Sequence, residues 1–172
     1  MRGRFALFCA LAVVPLVAGC DSGTEGSATP TSIAPEVLFD SCTLPDSVVA
    51  ETGVNPDSKN DNPFGTSLSG WVGCQWRGDG YALRIFATDR TPEEFRANSS
   101  FGDFREADLP GRQATTFVEG DEKPPGNCSV MYGTSQGTVS FYISKAITLA
   151  ELPDPCGTVV RAARAIDQWI PQ

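Results

Sequence analysis

The 172 residues contain no histidine, so any chemistry must come from carboxylates, lysines, serines, thiols or aromatic rings. That absence excludes Ser-His-Asp and Cys-His nucleophilic catalysis, His-ligated zinc and an imidazole pH switch. Paired carboxylates run acid–base chemistry when their surroundings split their pKa values. Asp57, Asp61, Asp79, Glu93, Glu94 and Asp121 are the candidates. With 21 acids against 13 bases, most acids are solvating groups, and Glu93 and Glu94 have a sufficient role as first-turn helix acids. Asp57-Ser58-Lys59-Asn60-Asp61-Asn62 crowds side-chain oxygens as a calcium loop does. It lacks the glycine at the sixth place and the glutamate at the twelfth, where Leu68 stands. No serine lies in a Gly-x-Ser-x-Gly or Ser-x-x-Lys setting. No catalytic residue, metal or cofactor is therefore assigned.

Thiols and rings say more. Cys9 and Cys20 belong to the amino-terminal segment, which leaves Cys42, Cys74, Cys128 and Cys156. An even four in an exported domain reads as two disulfides. Four cysteines allow three connectivities, of which Cys42–Cys74 with Cys128–Cys156 is favoured, each loop contributing roughly 3–4 kcal/mol in the chain-entropy view. No CxxC pair occurs among them, which disfavours a thiolate metal site or a redox motif. Trp76 is expected to pack on a disulfide, and Trp169 to join the core at the edge of a last helix. Phe64 and Trp71 fall in a stretch at 54–73 that is rich in Asn, Asp, Pro, Gly and Ser and lacks a period. They either fold back as a lid or form a recognition surface, and the second is the functional expectation.

The amino end has the layout of an export signal. Arg2 and Arg4 precede an apolar run at 5–17, and Leu16-Val17-Ala18-Gly19-Cys20 closes it. The run is too short to span a hydrocarbon core of about 30 Å, whereas an export signal needs only about 7–15 apolar residues. The closing residues resemble the bacterial lipobox, whose cysteine receives diacylglycerol and, with palmitate, anchors the chain to the membrane. Cleavage before Cys20 removes two arginines and no acid, leaving 11 bases against 21 acids, a net charge of −10. Such a surface repels phosphate backbones and anionic headgroups, so nucleic acid is not an expected partner. A polar, small-residue tether at 20–35 follows.

The elements that must position these groups can be read in outline. A short helix is expected at 44–53, with Pro45 early and Gly53 as its stop. Strands at 72–77 and 81–88 flank Gly78-Asp79-Gly80. Thr91-Pro92-Glu93-Glu94 opens a helix with a capping box. A hairpin at 104–118 turns on Pro110-Gly111, and a last pair at 128–133 and 138–145 follows. From Asp154-Pro155, Val159, Ala163, Ile166 and Ile170 recur on one face of a helix that runs to the end.

Phe39-Asp40-Ser41-Cys42, Cys74-Gln75-Trp76, Leu109-Pro110-Gly111-Arg112-Gln113-Ala114, Cys128-Ser129-Val130 and Asp154-Pro155-Cys156 follow the lipobox in order. This pattern resembles actinobacterial cell-envelope lipoproteins grouped as a domain of unknown function, of the LprB/LprC type. The resemblance implies paired disulfides and no particular activity. One departure is Ser41, where such chains commonly carry proline, which implies a looser first turn.

The expectation is a signal peptide at 1–19, a lipidated tether at 20–35 and a single α+β domain at 36–172. Its antiparallel sheet has about six strands, packed with amino-terminal, middle and carboxyl-terminal helices. The expected function is a membrane-anchored, extracytoplasmic binding module for an envelope component or an exported protein. A carboxylate-dependent envelope hydrolase would need two acids converging in a cleft. A carrier would need an apolar pocket on the order of a few hundred Å3.

Overall fold

The computed structural model describes residues 37–121, 123, 125–149 and 151–172. The expected signal peptide, Cys20 and the tether at 20–35 lie outside the described residues. Asp40 turns the chain into a 3-10 turn over Ser41–Thr43, its carboxylate accepting the Cys42 N–H at 2.9 Å. Helix α1, Asp46–Glu51, starts behind Pro45, and Gly53 at φ +87° ends it in the left-handed region. Ser41 does not loosen this entry. Its buried hydroxyl donates to the Ile85 carbonyl at 2.8 Å and accepts the Cys74 N–H at 3.0 Å, tying the turn to two neighbouring strands.

Seven strands build one sheet, one more than the sequence suggests. They are β1 (Val54–Asn60), β2 (Trp71–Gly78), β3 (Tyr81–Thr88), β4 (Phe101–Leu109), β5 (Arg112–Glu119), β6 (Asn127–Thr134) and β7 (Gly137–Lys145). Their order is β1-β2-β3-β7-β6-β5-β4, and every neighbouring pair is antiparallel. The added strand is β1, inside the stretch expected to be irregular. Its Asn-Pro-Asp-Ser-Lys-Asn composition hides it, and its edge position explains that composition. Pro56 gives up no needed hydrogen bond there, and polar residues discourage pairing with another chain. The β1–β2 register breaks between Asn55 and Asn60, and the Ser58 hydroxyl accepts the Arg77 N–H at 2.8 Å.

One face of the sheet carries the main core. Helix α1, the 3-10 turn and helix α3 (Pro155–Ala165) bury Val48, Val49, Val159, Ala163 and Ile166 against Trp76, Leu83, Ile85, Val130, Phe141 and Ile143. Both disulfides join this covering layer to the sheet. Cys42 pairs with Cys74 of β2, and Cys128 of β6 pairs with Cys156 of α3, with Cα separations of 5.2 and 5.1 Å.

Helix α3 stops at Ala165 and does not run on to Ile170. A 3-10 turn at Asp167–Trp169 replaces the last helical turn, because the Arg112 guanidinium takes up backbone carbonyls there. It donates to Pro171 O at 2.7 Å, Ile170 O at 2.8 Å and Asp167 O at 3.2 Å, besides pairing with the Asp167 carboxylate. The last carbonyls of a helix need such partners. As a result Ile170 stays buried, while Trp169 turns outward with 46% of its surface exposed, contrary to its expected core role.

Candidate functional site

The opposite face of the sheet is built differently. Strand alternation sends Leu83, Ile85 and Ala87 to the core and Arg84 and Phe86 the other way. Across the sheet, Gly73, Phe86, Ser140, Met131 and Thr115 stand in one row, and Gln75, Arg84, Tyr142, Ser129 and Phe117 in the next. Ser140 and Ser129 therefore sit on the central strands β7 and β6, beside Tyr142 and Met131, and the phenylalanines rise on both sides. Ser129 and Ser140 form the floor, 4% and 3% exposed. Gly73 makes room for one wall, since a Cβ there would meet the Ile85 carbonyl and lie 2.9 Å from Phe86 Cδ1.

The walls are aromatic. Phe64 stacks on Phe86 with ring centres 4.8 Å apart, and Trp71 meets both rings edge-on at 6.1–6.2 Å. On the far side Phe117 lies 4.9 Å from Phe101 and 5.5 Å from Phe104. Those last two rings are three residues apart on one strand, a spacing that ordinarily sends side chains to opposite faces. A bulge between Gly102 and Arg105, with Asp103 at φ +52°, inserts the extra residue that aligns them.

Phe95 of helix α2 (Pro92–Ala97) closes the arc, 5.9 Å from Trp71 and 5.9 Å from Phe101. The helix is fixed by the expected capping box. Thr91 N–H donates to Glu94 Oε2 at 2.7 Å, and Glu94 N–H donates to Thr91 Oγ1 at 3.3 Å. Arg96 donates to Thr115 Oγ1 at 3.0 Å and pins the helix to β5.

Two adjoining clefts result, of about 430 and 280 Å3, which share Phe64, Trp71, Phe95 and Phe101. The larger is bordered by the Arg90–Glu94 ion pair and Asn98. The smaller reaches the serine floor, Arg84, Tyr142 and Glu119. Arg84 Nε donates to Gln75 Oε1 at 2.6 Å, and its guanidinium carbon lies 5.3 Å from the centre of the Tyr142 ring. Burial pushes the Tyr142 phenol above its ordinary value, Glu119 adds to the rise, and Arg84 and Ser144 oppose it.

Of the residues singled out in the sequence, Phe64 and Trp71 meet here. Trp71 is the first residue of β2 and does not belong to a loop. Each is half-buried, in ring contact with its neighbours on one side and lining the clefts on the other. The four disulfide cysteines serve the other face. Trp76 is fully buried in the same core cluster as Cys74.

The six acids named earlier do not converge on one cleft. Asp57 lies in β1, Asp61 just after it and Asp79 at a hairpin tip, while Glu93 and Glu94 open α2 and Asp121 follows β5. Two side chains of the calcium-like segment bond locally, Asn60 Oδ1 accepting Asn62 N–H at 3.0 Å and Ser58 Oγ donating to Asn55 O at 2.6 Å. Among the described residues no group of three or more acids or cysteines is arranged to hold a metal.

Sequence reasoning missed Arg84, Phe86, Phe95, Phe101 and Phe117. A signal was present: Leu83-Arg84-Ile85-Phe86-Ala87 puts large apolar side chains on both sides of one strand, the mark of a sheet covered on both faces.

No curated protein and no solved structure matches the chain. A family profile described as Protein of unknown function (DUF3558) matches residues 15–168, and the chain belongs to that family.

Proposed function

We propose that this chain is a binding module of the cell envelope, held to the outer face of the membrane by acylation of Cys20, which takes a small apolar molecule on the aromatic face of its sheet. The finer kinship, with actinobacterial lipoproteins of the LprB/LprC type, fits this placement. One observation carries the binding reading. Six of the chain's ten phenylalanines, with Trp71, gather on one sheet face around concave, serine-floored space. A flat surface would suit an exported protein partner, whereas clefts of this size suit a single small molecule. A hydrolase has less support. Glu94 is committed to its capping box and to Arg90, and Glu119 is the one acid lining the smaller cleft.

The test titrates decanol into the protein and follows tryptophan fluorescence in a Trp169→Phe background. Saturable binding is expected, weakened about tenfold by Phe86→Ala or Phe117→Ala. Absence of binding, or affinity unchanged in both variants, refutes the apolar site. Palmitate labelling of wild type against Cys20→Ala tests the anchor separately, and equal labelling discards it.

A further inference from the structure

Resting on that reading, we propose that the ligand is an amphipathic anion, with an apolar body in the aromatic cleft and a carboxylate or similar acidic head at Arg84. The cleft is not uniformly apolar. Tyr142 aside, five of the six rings that line it are phenylalanines with no hydrogen-bonding edge, which suits an apolar body better than a sugar ring. In the larger cleft Arg90 and Glu94 pair with each other, whereas in the smaller Arg84, Tyr142 and Glu119 follow the serine floor.

Arg84 is the distinctive member. It is half-buried, its Nε is occupied by Gln75 Oε1, and its plane is set over the Tyr142 ring. Among the described residues no carboxylate reaches ion-pair distance of its two terminal nitrogens. A guanidinium held in place on an apolar wall, in a chain with 21 acids and 13 bases, is an unusual use of scarce positive charge. A planar fork with free donors matches a carboxylate in both charge and shape. Ser129 and Ser140, almost wholly buried and open to the same space, offer hydroxyls to a second oxygen.

Glu119 faces the same end of the cleft and opposes an anion there. It is exposed to water, so its field is screened more than that of Arg84. A membrane surface is the poorer occupant, because the net charge of −10 left after cleavage before Cys20 repels anionic lipid and the cleft is small.

The experiment compares decanoate, decanol and decyltrimethylammonium by calorimetry at neutral pH. Decanoate is expected to bind about tenfold more tightly than decanol, the worth of a charge-assisted hydrogen-bonded pair. Arg84→Gln should bring that ratio to about one, Arg84→Lys should restore part of it, and Glu119→Gln should raise it. Circular dichroism of each variant separates loss of fold from loss of recognition. Equal binding of decanoate and decanol by wild type, or preference for the cation, overturns the anionic head while leaving the apolar site standing. Failure of all three probes refutes the site itself. Binding of wild type to phosphatidylglycerol vesicles in preference to free decanoate overturns the small-ligand form of the proposal.

Discussion

Arg112 offers the sharpest test of how this chain holds its carboxyl end. Its side chain is 4% exposed, against 19% for its partner Asp167. Besides that ion pair it donates to the carbonyls of Asp167, Ile170 and Pro171, and its guanidinium carbon sits 4.5 Å from the centre of the Tyr132 ring. Arg112→Met keeps the length and the apolar stem but strands a carboxylate and three carbonyls. Breaking one side of a buried pair costs about 3–5 kcal/mol. Asp167 can rehydrate at its exposed edge, which puts the expectation near the lower bound, about 3 kcal/mol. For a domain of this size that corresponds to a fall in Tm of about 6–12 °C.

Urea unfolding measured by far-UV circular dichroism gives the number, with the disulfides kept oxidised. Asp167→Asn in the same chain should recover part of the loss, because no uncompensated charge remains. Limited proteolysis should also open the segment after Ala165 in Arg112→Met first. A loss below about 1 kcal/mol would falsify the view that this guanidinium replaces the last helical turn.

Three further outcomes follow from the same geometry. Ser41→Ala removes the donor to Ile85 O and the acceptor of Cys74 N–H, both buried, and should cost about 2–6 kcal/mol at 1–3 for each orphaned group, whereas exposed Thr43→Ala should cost less than about 0.5. Equal effects of the two substitutions, read from urea midpoints, would contradict the buried bridge. Replacing Cys128 and Cys156 together by alanine should lower stability by roughly 3–4 kcal/mol, and a midpoint unchanged from wild type would speak against the linkage. Burial raises the pKa of all three tyrosines, Tyr81, Tyr132 and Tyr142, above the ordinary 10.0. The folded chain holds these protons more tightly than the unfolded one, so the contribution is full below about pH 10 and is lost as pH rises through the folded values. Absorbance titration should therefore place tyrosinate formation higher in native than in denaturant-unfolded protein, and superimposable curves would overturn it.

The sequence made some parts of the structure plain because local chemistry alone determines them. Thr91-Pro92-Glu93-Glu94 specifies a capped helix whatever surrounds it, and α2 starts there. The hairpins around Asp79, Pro110-Gly111 and Ser135-Gln136 are likewise encoded in their turn residues. β1 was hidden because an edge strand is read through its partner, and Asn, Pro and Ser carry no period of their own. The end of α3 was misplaced because Ile166 and Ile170 keep helical spacing while Arg112, more than fifty residues earlier, takes the carbonyls.

The candidate site divides in the same way. Phe64 and Trp71 stood out by being large and apolar in polar company. Phe86 and Phe117 did not, since a ring in a strand looks like core until the register assigns its face. Only the sheet order, which brings β3 beside β7 and β7 beside β6, reveals that serines separate the two groups of rings.

The irregularity at Asp103 carries an evolutionary implication. Because one surplus residue aligns Phe101 with Phe104, loss of a single codon there would point the two rings to opposite sides without touching the cysteines or the cores of the helices. A chain shortened by that codon would keep the scaffold and present a different aromatic face. On the binding reading proposed above, a one-residue insertion or deletion along this outer strand would change which rings line the cleft, at little cost to the half of the protein that keeps it folded.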